Sequence, residues 1–173
     1  MTIASEPLHF QGIPVNKLNR DPELCRLFVS EARRFLAKQP EIQHSWSVDD
    51  DEDHAILEIQ GKGDAGFDIT VHIDSDAIIL WGEGWHEHYS VTEPKKDFVA
   101  GMLGLIRDML SPSMRIRERR SNGTPYKWTL ENFEEGTWGV ENTCALVFWN
   151  WFGTKTEAFY SNEVLPARTQ AGV

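Results

Sequence analysis

The chain has little cysteine, no membrane-length apolar run, a shortage of positive charge and none of the common catalytic signatures. Each shortage removes a class of function. Only Cys25 and Cys144 occur among 173 residues. They stand outside any C-x-x-C or Cys/His ligand spacing, which excludes a disulfide framework and reads both as buried thiols in a reducing compartment. No apolar stretch approaches the roughly 18 residues a membrane helix needs, and residues 1–12 carry neither the basic start nor the apolar run of a leader. The cytoplasm is the expected compartment, with no membrane partner. There is no G-x-S-x-G elbow, no G-x-x-x-x-G-K-[ST] loop and no H-E-x-x-H, so the common hydrolase and NTPase signatures are absent. Seventeen Lys plus Arg against 27 Asp plus Glu leave a formal charge of −10. That balance repels nucleic acid and anionic lipid and favours a basic partner or a small ligand.

What is present is enough to fold. With 40% hydrophobic and 25% charged residues, the chain reads as one domain, 1–173, able to bury roughly two-thirds of its unfolded surface without disulfide or metal. Residues 1–20 read as an extended N-terminal segment and 166–173 as a frayed tail. Asp21-Pro22-Glu23 signals a helix start, with Asp21 as cap and Pro22 in the first turn. The predicted helix runs to Gln39, burying Leu24, Phe28, Ala32, Phe35 and Leu36 and exposing Arg26, Ser30, Arg33 and Arg34. From Ile42 to Val91 the apolar period becomes two, as in half-buried strands, with Gly82 and Gly84 predicted to mark a bulge. Thr92 and Pro94 open a second helix whose Phe98, Val99, Met102, Leu103, Ile106, Met109 and Leu110 share one face. Strands Met114–Arg120 and Thr124–Glu131 flank an Asn122-Gly123 turn, followed by predicted strands Thr143–Phe152 and Lys155–Val164. Both strand faces are apolar around Cys144–Phe152, including Trp149 and Trp151, so the strand reads as central and covered on both sides, the alternative being one face that awaits a partner, and core packing is the expected fate of most of the seven tryptophans. The fold class that follows is α+β, a mainly antiparallel twisted sheet of about six to eight strands with two helices packed on one face.

Four motifs bear on chemistry. Gly61-Lys62-Gly63-Asp64-Ala65-Gly66 has the letters of a dinucleotide loop, but the strand-like alternation of Phe67–Ile73 follows where a helix N-terminus is needed, so it reads as a turn. The acidic run Asp49–Asp53 lacks the Gly and Glu positions of an EF-hand and reads as a solvated turn. His86 and His88 in Trp85-His86-Glu87-His88-Tyr89 fall on one face of a strand; with His72 or His54 as a third ligand they could hold zinc. The Asn122-Gly123 turn predicts the pairs Arg119–Tyr126, Arg117–Trp128 and Arg115–Leu130 on one face, with Glu118–Lys127 on the other. Guanidinium groups over Tyr126 and Trp128 would each gain about 0.5 to 2 kcal/mol, and their donors would suit an anion. Arg115, Arg117, Arg119, Tyr126 and Trp128 are therefore the candidate ligand site. The plainer account pairs these arginines with Glu131, Glu134 or Glu135 on a solvated sheet face. The leading expectation is a non-catalytic binding or accessory protein without a cofactor, either an acidic inhibitor of a basic protein or a binder of small anionic ligands. Its rival is a metal-dependent enzyme built on His86 and His88.

Overall fold

The computed structural model describes residues 22–146 and 152–167. Along these the order is α1 (Glu23–Leu36), β1 (His44–Val48), β2 (Ala55–Ile59), β3 (Ile69–Ile73), β4 (Ala77–Gly82), β5 (Trp85–Ser90), α2 (Lys95–Met109), β6 (Met114–Ser121), β7 (Thr124–Glu134), β8 (Thr137–Ala145) and β9 (Lys155–Tyr160). The α1 spacing buries Leu24, Cys25, Phe28, Ala32 and Leu36 and leaves Arg26, Ser30, Arg33 and Arg34 exposed. The helix stops at Leu36, short of Gln39, and its expected cap Asp21 lies outside the described residues. In α2, Val99, Met102, Ile106 and Met109 are buried while Leu103 is only half-buried.

The fold is α+β with antiparallel strands, but the expected single sheet is two. β1 to β5 form a five-stranded meander in sequence order, and a four-stranded sheet runs β8-β7-β6-β9. The division has a physical cause. α2 carries the chain away from β5, which stays an edge, and β6 then pairs only with its own later neighbours β7 and β9. Nor do the helices cover one face of one sheet: α1 packs on β3 and on α2, while α2 also packs on β6. One core joins everything, since Met114, Ile116 and Leu130 of the second sheet share a cluster with Leu57, Val71, Ile78 and Leu80 of the first.

Two-residue turns set the strand registers. Asn122-Gly123 adopts the expected positive φ values of 49° and 81°, and so do Glu83-Gly84 at 37° and 78° and Glu135-Gly136 at 51° and 80°, the backbone of tight hairpins. Gly82 and Gly84 are therefore not a bulge: Gly82 pairs with Trp85 across the β4–β5 turn. The third turn starts β8 at Thr137, and β8 ends at Ala145 instead of spanning Thr143–Phe152. Trp149 and Trp151 lie outside the described residues. Of the five described tryptophans only Trp85 is fully buried; Trp46, Trp81 and Trp128 are half-buried and Trp138 is exposed. The glycine-rich segment 61–66 leads into β3 with no helix after it. It is pinned by the buried Asn162, whose Oδ1 accepts from the backbone N–H groups of Lys62 and Phe67 and whose Nδ2 donates to the carbonyls of Phe67 and Met109.

Candidate functional site

Arg115, Arg117 and Arg119 of β6 occupy one face, as alternation dictates, with Met114, Ile116 and Glu118 buried on the other and Arg120 donating to Glu118 there. Their cross-strand neighbours differ from expectation. Ser121 pairs with Thr124 and Arg120 with Pro125, but a bulge then takes up Tyr126, so Arg119 faces Lys127, Arg117 faces Thr129 and Arg115 faces Glu131. The slip of one residue puts Trp128 opposite Glu118 on the inner side, where its Nε1 donates to Glu118 Oε2 at 2.9 Å. Among the described residues the cation over the Tyr126 ring is Lys155, 5.1 Å from its centroid.

The arginine stripe is built from all four strands of the second sheet. Glu131, with a side chain only 4% exposed, accepts from Arg115 Nε and Arg117 Nη2, each at 2.8 Å. Glu157 of β9 accepts from Arg119 Nε at 2.8 Å, with Arg117 Nη1 at 3.9 Å. Glu131 was a foreseen partner; Glu157 was not. The guanidinium of Arg115 is stacked between two aromatic rings, 3.9 Å from the Trp138 centroid and 4.4 Å from that of Phe159. Phe133 packs on Trp138 at 5.1 Å between centroids. Phe133, Trp138, Val140 and Phe159 are nevertheless exposed, by 45%, 36%, 62% and 45%. The site residues missed from the sequence are Phe133, in the part of β7 beyond the expected Glu131 end, and Trp138, Val140, Glu157 and Phe159, which alternate along β8 and β9, a signal that becomes readable only once those strands have correct bounds.

His72, His86 and His88 occupy the outer face of the first sheet, with His54 just before β2. Ring contacts run from His54 to His72 at 6.0 Å, His72 to Trp81 at 4.6 Å, Trp81 to His86 at 6.1 Å and His86 to His88 at 6.2 Å. The indole of Trp81 stands between His72 and His86, so the expected third ligand is held away from the pair. Among the described residues no group of three or more His, Cys, Asp or Glu side chains is placed to hold a metal ion. Burial, followed by the neighbouring His54, lowers the His72 imidazole below its ordinary 6.5.

No family model, no curated protein and no solved structure matches the chain. No helix among the described residues is long and apolar enough to cross a membrane.

Proposed function

We propose that this chain is a non-catalytic binding protein and that the outer face of its second sheet holds an acidic segment of a partner protein. The observation that carries the reading is the exposure of Phe133, Trp138, Val140 and Phe159 around a set of immobilised arginines. Contiguous exposed apolar surface rimmed by charge is what interfaces present, and Trp and Arg dominate their energetics. Arg115 is already ordered by two rings and a carboxylate, so docking would cost little side-chain entropy there.

Charge selects the partner's sign. The face sets Arg115, Arg117, Arg119 and Lys127 against Glu131 and Glu157, a local positive excess on a chain of net charge −10. Each guanidinium has five N–H donors and one carboxylate engages about two of them, so capacity remains for carboxylates of a partner. A basic partner, favoured by the net charge alone, would meet its own sign here. A zinc site on the first sheet is disfavoured, because Trp81 stands between His72 and His86 and keeps the third ligand from the His86–His88 pair.

Two peptides of matched length, one of Glu-Glu-Phe repeats and one of Lys-Lys-Phe repeats, test this by tryptophan fluorescence. The acidic peptide is expected to perturb the wild-type signal, less at high salt, and to lose its effect with Trp138→Phe or Arg115→Ala. A larger response to the basic peptide, or an acidic response that survives both substitutions, would contradict the assignment.

A further inference from the structure

The two cysteines have opposite surroundings. Cys25 is fully buried on α1, and burial, followed by the carboxylates of Asp53, Glu52, Asp74 and Asp49, pushes its thiol up to about 11. Cys144 is half-buried near the end of β8, and its Sγ lies 3.6 Å from Nδ1 of the exposed His86 on β5. The pair spans the seam between the two sheets. Cys144 is registered with Trp128 on the inner side of β7, away from the arginine face, and His86 stacks on Trp81 of the first sheet. Beside them Asn142 Nδ2 donates to Glu87 Oε2 across the same seam.

A thiol becomes a nucleophile when it loses its proton, and a base within hydrogen-bond reach is how proteins remove it. We propose that Cys144 is a reactive thiol activated by His86 and that it forms mixed disulfides with small-molecule disulfides, independently of the binding face. In the step, His86 Nδ1 takes the proton from Cys144 Sγ and the thiolate attacks one sulfur of the disulfide. A new S–S bond forms to Cys144, the old one breaks, and the released thiolate takes up the proton. Cys144 is oxidised and the leaving half of the reagent is reduced, so no further oxidant enters. The titratable neighbours on the surrounding strands are Glu87 and His88 of β5, Glu118 of β6 and Glu141 of β8.

The test uses the full chain and 4,4′-dithiodipyridine, an uncharged disulfide whose released half is followed by absorbance. One thiol per folded chain is expected to react, absent in Cys144→Ser and retained in Cys25→Ser, with Cys25 reacting only after unfolding. His86→Ala and His86→Gln should slow the reaction about tenfold or more near neutral pH and turn its pH profile into that of a simple thiol, while His88→Ala leaves both unchanged. Melting curves confirm that each variant is folded. A His86 variant with the wild-type rate and profile, or a wild-type Cys144 no faster than N-acetylcysteine at the same pH, would overturn the proposal.

Discussion

The two sheets use the same alternation to opposite ends. In the first, Ala55, Leu57, Ile59, Ile69, Val71, Ile73, Ile78 and Leu80 turn inward and are fully or almost fully buried, while the outer face carries polar and ring side chains such as Glu58, Thr70 and His72. In the second, the inner face includes the buried Glu118 beside Ile116 and Leu130, whereas Phe133, Trp138, Val140 and Phe159 are left in water. Folding alone favours the first arrangement, because exposed apolar surface forgoes about 25 cal/mol for each Å² left unburied. The difference teaches that alternation alone does not decide which face is covered: the exposed apolar side chains gather on the outer face of the second sheet, the face proposed above to bind.

Breaking the core that the sheets share should have the largest effect. Ile106→Asp would place an unpaired carboxylate where the side chain is 1% exposed, at a cost of several kcal/mol, enough to abolish the cooperative melt seen by circular dichroism. Glu118→Ala probes the polar interior of the second sheet alone. It strands the Trp128 Nε1 donor and removes the acceptor of Arg120, and a loss of about 1–3 kcal/mol is expected in urea unfolding. At the seam, Gly84 has φ +78° and an added Cβ would come within 2.6 Å of the Trp128 ring. Gly84→Ala should therefore cost about 1 kcal/mol or more and shift the tryptophan emission. The smallest effect belongs to the outer face of the first sheet. Because the His72 imidazole is held below 6.5, the unfolded chain takes up a proton first as pH falls. Stability is thus lost as pH drops through that value and levels off below the folded one. The melting temperature of His72→Gln should fall less than the wild type's between about pH 7.5 and pH 5.

Local signals were readable from the sequence where each had one physical cause. The apolar spacing of α1 and α2, the alternation in β2, β3 and β4 and the Asn122-Gly123 turn all appear as expected. Glu83-Gly84 and Glu135-Gly136 make the same kind of turn, but glutamate at positive φ is uncommon and gives no turn signal of its own. Missing the second of these displaced β8 and hid Trp138 and Val140. The Tyr126 bulge is another silent feature: nothing in Pro125-Tyr126-Lys127 distinguishes a paired residue from an extra one, yet it moves Trp128 from the arginine face to Glu118. The split into two sheets depends on whether β6 pairs with β5 or with β9, a long-range choice that no local pattern encodes. The arginine stripe itself was legible, because alternation along β6 does not depend on what lies opposite.

The most direct test of a binding face on the second sheet is a paired measurement on the triple variant Phe133→Thr, Val140→Thr, Phe159→Thr, which places strand-favouring β-branched side chains at all three positions while removing the exposed apolar rim. Its unfolding free energy in urea and its affinity for the Glu-Glu-Phe peptide are measured together. A binding face on the second sheet predicts stability within about 1 kcal/mol of wild type with binding reduced tenfold or more. A variant that loses several kcal/mol of stability, or that binds the acidic peptide as the wild type does, would contradict it.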